Sequence, residues 1–193
     1  MFAGMPARTH EGRWFLLHFP AMTYRLFAIS LLFGAVGACA QTASVPNVPD
    51  AIKAPAGEKP VLTAHARGSQ IYTCQSTPDG KYAWVLKAPD AKLYDEMGAI
   101  IGSHSAGPTW KLDDGSAVKG KAVAHVDQPD AIAWLLVTVT DHMGAGKLGR
   151  VTTIQRINTK DGKAPATGCD AANVNKETKS SYTADYVFYA PEK

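Results

Sequence analysis

The chain has 193 residues, 46% of them apolar, which suits one domain plus processed segments. Its formal charge of +3 is uneven: three of the 20 Lys+Arg but one of the 17 Asp+Glu precede Gln41, so the remainder carries only +1. No Lys/Arg run interleaved with aromatics remains there, and nucleic acid is therefore not an expected partner.

Residues 1–21 read as an upstream extension from a mis-called start or equally as a long positive n-region carrying Arg8 and Arg13, and residues 22–40 as a signal peptide. Met22 and Arg25 precede the apolar run 26–36, which ends in the small residues Gly37, Ala38, Cys39 and Ala40. A positive start, a short apolar stretch and a small-residue exit form an export signal. The run falls short of the roughly 20 apolar residues that span a bilayer. The competing reading, a buried helix, fits poorly with the polar, Pro-rich stretch that follows at once. Two processing readings stand side by side. Ala38-Cys39-Ala40 before Gln41 fits the A-x-A pattern of ordinary signal peptidase. Val36-Gly37-Ala38-Cys39 resembles a lipobox, in which Cys39 is acylated and becomes the N-terminus. The Pro/Ala-rich residues 41–60 serve as an N-terminal arm or as a tether to that lipid. The expected destination is the periplasm, the cell exterior or a lipid-anchored place in the envelope, with no further membrane span.

Residues 61–193 read as a single β domain. Gln70-Ile71-Tyr72-Thr73-Cys74-Gln75 alternates and stops at Pro78-Asp79-Gly80. Tyr82-Ala83-Trp84-Val85-Leu86 runs to a turn at Ala88-Pro89-Asp90. Lys92-Leu93-Tyr94 stops at Gly98, and Ile100-Ile101 is a further short run. Pro108-Thr109-Trp110-Lys111-Leu112 turns at Asp113-Asp114-Gly115-Ser116. Residues 117–126 form one longer strand with Gly120 as a bulge. Residues 133–140 look like a central strand buried on both faces. Residues 151–157 alternate again, 162–181 read as a long polar loop, and Tyr186-Val187-Phe188-Tyr189 closes the chain. Short strands with turn signals every 8–12 residues predict an antiparallel β-sandwich or barrel with little helix.

Beyond the signal segment only Cys74 and Cys169 remain, an even number in an oxidising compartment. Their pairing closes a loop of about 95 residues, worth about 4–5 kcal/mol in the chain-entropy model. The alternatives are two buried free thiols or a Zn site. The latter lacks a second ligand at C-x-x-C or H-x-x-C spacing.

Gly144-Ala145-Gly146-Lys147-Leu148-Gly149 matches G-x-G-x-x-G, but a dinucleotide site requires a helix to open there. The β-branched run Val151-Thr152-Thr153-Ile154 instead predicts a strand, with the glycines as its connection. No cofactor is expected. Ser103 and Ser105 around His104 lack the flanks of a nucleophile elbow, although a triad assembled in space stays open. His65, His104, His125 and His142 show no ligand spacing, and no metal site is assigned.

The low-specificity candidates for ligand binding are His104, Trp110, Asp114 and His142. His104 lies in a Gly-rich segment just before Trp110, and His142 ends a strand beside the glycine loop. Asp114 has a plainer reading as part of a type I turn. Tyr72, Trp84, Trp110, Trp134, Tyr186 and Tyr189 either line an aromatic pocket or fill the core, the second being the commoner role.

The series Gly68-Ser69-Gln70-Ile71-Tyr72-Thr73-Cys74, Trp84, His104 with Gly107-Pro108-Thr109-Trp110, Asp114-Gly115-Ser116, Trp134-Leu135-Leu136, Ile154-Gln155-Arg156, the segment 165–169 and 182–189 resembles domain-of-unknown-function family 3455. The resemblance spans about residues 45–191. It implies an exported protein of one domain and strengthens the pairing of Cys74 with Cys169. It transfers no catalytic residue, because the family has no established activity. Some fungal relatives carry a malate dehydrogenase label, but this chain lacks the alternating βαβ units such an enzyme needs. The expected role is ligand binding or envelope structure. The alternative is a secreted hydrolase or metal-dependent enzyme using His104, Asp114 or His142.

Overall fold

The computed structural model describes residues 44–192. Eight antiparallel strands follow one another around a closed ring: β1 Glu58–Ser76, β2 Tyr82–Tyr94, β3 Ile100–Ser105, β4 Thr109–Leu112, β5 Ala117–Val126, β6 Trp134–Met143, β7 Thr153–Asp161 and β8 Glu177–Pro191. β8 pairs back onto β1, so of the two architectures expected the chain forms the barrel. Helical structure among the described residues is confined to two short 3₁₀ turns, Asp50–Ile52 and Ala171–Asn173. None of it is long and apolar enough to cross a membrane. The expected signal peptide, Cys39 and residues 1–21 lie outside the described residues.

Alternation sets the interior. Along β8, Tyr182, Ala184, Tyr186 and Phe188 are buried on one parity, and along β1 so are Ala64, Ala66, Gln70, Tyr72 and Cys74. Successive side chains of a strand point to opposite faces, and in a closed barrel one of those faces is the lumen. An eight-stranded barrel leaves room for packed side chains or one small ligand. Leu148 and Val151, from the connection between β6 and β7, join Leu93, Leu112 and Phe188 in the main core.

A second core lies outside the barrel. Val187 and Tyr189 are buried on the opposite parity of β8 because the N-terminal segment crosses there. Val48 and Ile52 pack on them and on Ile157. Gln155 fixes this crossing: its Nε2 donates to Ile52 O at 2.6 Å while its Oε1 accepts from the Tyr189 hydroxyl at 2.7 Å. The continuous apolar run at the end of the chain thus reflects burial on both faces of one wall strand.

Three sequence expectations need correction. β6 is not a central, doubly buried strand: only Val137 along it is buried. Its first half packs partly on both sides, Leu135 and Val139 on the main core and Trp134 and Leu136 on the second core outside the barrel, while Thr140 to Met143 are exposed. Ala88-Pro89-Asp90 is no turn but part of β2, paired with residues of β1. The long loop is shorter than expected, since β8 begins at Glu177.

The wall has a gap between β2 and β5. β2 pairs with β3 only from Ala91 to Tyr94, and its upper part pairs with β1 alone. β5 pairs with β4 only from Ala117 to Lys119, and beyond Gly120 it pairs with β6 alone. The intervening β3–β4 hairpin has strands of only 6 and 4 residues, too short to close the wall above its turn. Pro89 is tolerated because its stretch of β2 is an edge, where a missing N–H does little harm.

Candidate functional site

The gap opens into a cavity of about 280 Å³. Leu86 and Pro89 of β2 flank it on one side, Ala122 of β5 on the other, and Gly107 and Pro108 form its sill. Leu135 and Val137 of β6 supply further apolar wall, and the deeper surface carries Gln70, His104, Trp110, Arg156 and Tyr186.

Register explains the deeper cluster. His104 of β3 is directly opposite Trp110 of β4, and both point into the lumen. Their rings stack at 4.4 Å with 15° between planes. Tyr186 of β8 meets His104 at 5.0 Å and the edge of Trp110 at 5.5 Å. Such offset and edge-on pairs stabilise by roughly 0.5–1.5 kcal/mol each beyond the area they bury.

His104 donates from Nδ1 to the Thr109 carbonyl at 3.0 Å. A carbonyl can only accept, so Nδ1 carries the proton and Nε2 keeps its lone pair. Burial lowers the His104 pKa to about 3; the Thr109 carbonyl opposes that shift and the Arg156 cation adds to it. The imidazole is therefore neutral, a polar aromatic wall rather than a charge.

Two buried donors in this lining have no partner: Gln70 Nε2 and Trp110 Nε1. An orphaned buried N–H costs roughly 1–3 kcal/mol, and its persistence in a cavity lining calls for a reason. Arg156 of β7 donates from Nε and Nη2 to Ala133 O at 3.0 and 2.8 Å. Tyr72 closes the neighbouring end of the barrel by donating to Gly162 O at 2.7 Å.

The four candidate residues divide. His104 and Trp110 come together in the cavity. Asp114 and His142 lie toward the other end of β4 and β5 and are absent from its lining. Asp114 organises loops: Oδ1 accepts from Ser116 N and Oγ, and Oδ2 from Lys147 N at 2.8 Å. The Lys147 N–H bond is the largest cause holding its carboxyl below the usual range, followed by those of Ser116. His142 bonds through Nε2 to the Val151 carbonyl at 2.7 Å. The glycine segment therefore joins β6 to β7 with no helix beginning there, and the anion held by its Lys147 N–H is the protein's own Asp114. Among the described residues no group of three or more His, Cys, Asp or Glu is placed to hold a metal ion.

Of the aromatic residues, Tyr72, Trp110 and Tyr186 face the lumen. Trp134 and Tyr189 belong to the outer core, and the Trp84 indole donates to Thr167 O at 2.9 Å. Gln70 and Arg156 also line the cavity, although the sequence reading does not single them out. Their signal was a polar residue at inward parity, Gln70 between Gly68 and Tyr72, and Arg156 two residues after Ile154. The disulfide is formed: Cys74 and Cys169 are joined with 5.3 Å between Cα atoms, within the range such bonds require.

A family model described as a protein of unknown function (DUF3455) matches residues 55–190. No curated protein and no solved structure matches the chain.

Proposed function

The chain belongs to the DUF3455 family of proteins of unknown function, and we propose that it is an exported binding protein that takes a small, largely apolar ligand through the gap in its barrel wall. The observation that carries this reading is the cavity of about 280 Å³ behind the unpaired edges of β2 and β5. Its volume lies just below the usual range of ligand pockets, roughly 300 to 1,000 Å³, and so suits a small ligand. Its composition fits as well: apolar walls with a few convergent polar groups are what fix and orient a small ligand. The export part rests on the segment 22–40 and on the disulfide, a bond that persists in oxidising compartments. Intact-mass measurement on natively exported protein should place the mature N-terminus at Cys39, with added lipid mass, or at Gln41; an uncut Met1 overturns export.

Melting experiments with millimolar phenol, benzoate and hexanoate test the binding. A ligand at 100 times its Kd stabilises the folded state by about 2.7 kcal/mol, so occupancy reads out as a raised Tm. At least one probe should raise it, and Ala122→Trp, which fills the gap from an exposed position, should abolish the shift. No shift with any probe, or a shift unchanged in Ala122→Trp, overturns the reading.

A further inference from the structure

We propose that the ligand carries a carboxylate, and that Arg156 is the residue that selects for it. This rests on the binding reading above and names the ligand's chemistry. Arg156 is half-buried on the inward parity of β7, among Tyr72, Tyr182, Tyr186 and His104. None of these is an anion: burial raises the phenols and keeps His104 neutral. Among the described residues no carboxylate lies within ion-pair distance of its guanidinium.

A cation taken out of water needs a counter-charge or a full set of acceptors, and removing it from water otherwise costs several kcal/mol. Arg156 has neither. A guanidinium presents five N–H donors; here two converge on one oxygen, Ala133 O, and the Tyr186 hydroxyl is the other side-chain partner, so donors are left over. The unpaired Gln70 Nε2 and Trp110 Nε1 repeat the pattern: the buried polar atoms of this lining that lack a partner are both donors. A ligand carrying two acceptor oxygens and a negative charge supplies what is missing.

Position strengthens the case. Arg156 lines the cavity behind the gap and also a second one, of about 560 Å³, under the loops at residues 127–133 and 163–164. That second cavity also holds Lys163, which donates to Pro129 O, and Asp127, whose carboxylate opposes an anion there. The gap-side cavity has no acidic lining residue. Its apolar and aromatic walls suit the body of a short organic acid, and the planar fork of Arg suits its carboxylate head.

The test compares matched pairs by calorimetric titration: benzoate against benzamide, and hexanoate against hexanamide, with chloride and inorganic phosphate as competitors. The carboxylates should bind at least tenfold tighter than their amides. Arg156→Gln should weaken the carboxylates more than the amides and so erase that preference, and Arg156→Lys should keep part of it. Equal binding of acid and amide by the native protein overturns the inference but leaves the binding reading intact, and needs no variant to fold. A preference that survives in Arg156→Gln also overturns it. Failure of all four organic probes overturns both readings together.

Discussion

His104 is 3% exposed, and its protonation is linked to stability. Its folded pKa of about 3 is below the ordinary 6.5. In such a case the unfolded chain takes up the proton first, so stability is full above about pH 6.5 and falls as pH drops from there toward 3. The loss is of the order of a few kcal/mol. His65 works in the opposite direction. Its Nδ1 is 2.6 Å from Asp185 Oδ1 and its Nε2 3.3 Å from Glu96 Oε2, and the Asp185 bond chiefly raises its pKa. Its contribution is present below the unfolded pKa and is lost as pH rises through the folded one. His104→Phe keeps the stack on Trp110 and removes the titrating group. Denaturant melts between pH 7 and 4 should show a shallower acid loss for that variant than for the native protein; parallel curves exclude buried His104 as a cause of acid sensitivity.

Among the strands, the tightest constraint is at Gly68 of β1. A Cβ there would lie 2.2 Å from Asp90 O and 2.4 Å from Ala91 Cα, both backbone atoms of β2. Neither can yield without parting the two strands. Strand glycines of this kind mark bends and close backbone approach in barrels. Gly68→Ala should therefore cost at least about 3 kcal/mol, at the severe end for single substitutions. Chemical denaturation measures it, and a change below about 1 kcal/mol shows that the strands can separate locally. The gap in the wall depends on a different property, strand length. β3 and β4 end early, so the edges of β2 and β5 lose partners and the barrel acquires an entrance.

At the scale of the molecule, closure of the ring and the disulfide act between distant parts of the chain. β1 pairs with β8, and Cys74 on β1 reaches Cys169, 95 residues away, in the connection between β7 and β8. Asn175 N donates to Cys74 O at 2.9 Å and Cys74 N to Lys176 O at 2.9 Å, so the same connection is also tied through backbone. Cys74→Ala with Cys169→Ala should lower stability by roughly 2–5 kcal/mol. The ring of eight strands should survive, because its hydrogen bonds and core do not pass through the sulfurs. Near-native far-UV dichroism with a lowered denaturation midpoint is the expected result. An unfolded double variant would make the bond a condition of the fold.

The amino-acid sequence by itself determined what depends on near neighbours along the chain. Alternation in Gln70-Ile71-Tyr72-Thr73-Cys74 and in the run after Val151 defined strands, because a pleated strand repeats every two residues. Asp79-Gly80 and Gly98 defined turns, because they tolerate positive φ; both glycines have it, at 75° and 82°. The bulge expected at Gly120 appears as a register shift between Lys119 and Gly120. The evenness of the cysteine count led to the Cys74–Cys169 pair. Only the tertiary structure decided between sandwich and barrel, since strand patterns look alike whether the last strand meets the first or a second sheet. It alone placed Asp114 and His142 away from His104, because register across β4, β5 and β6 is a long-range property. It alone brought Arg156 and Gln70 beside His104 and Trp110: these residues come from β7, β1, β3 and β4, and only ring closure makes one lumen of their inward faces.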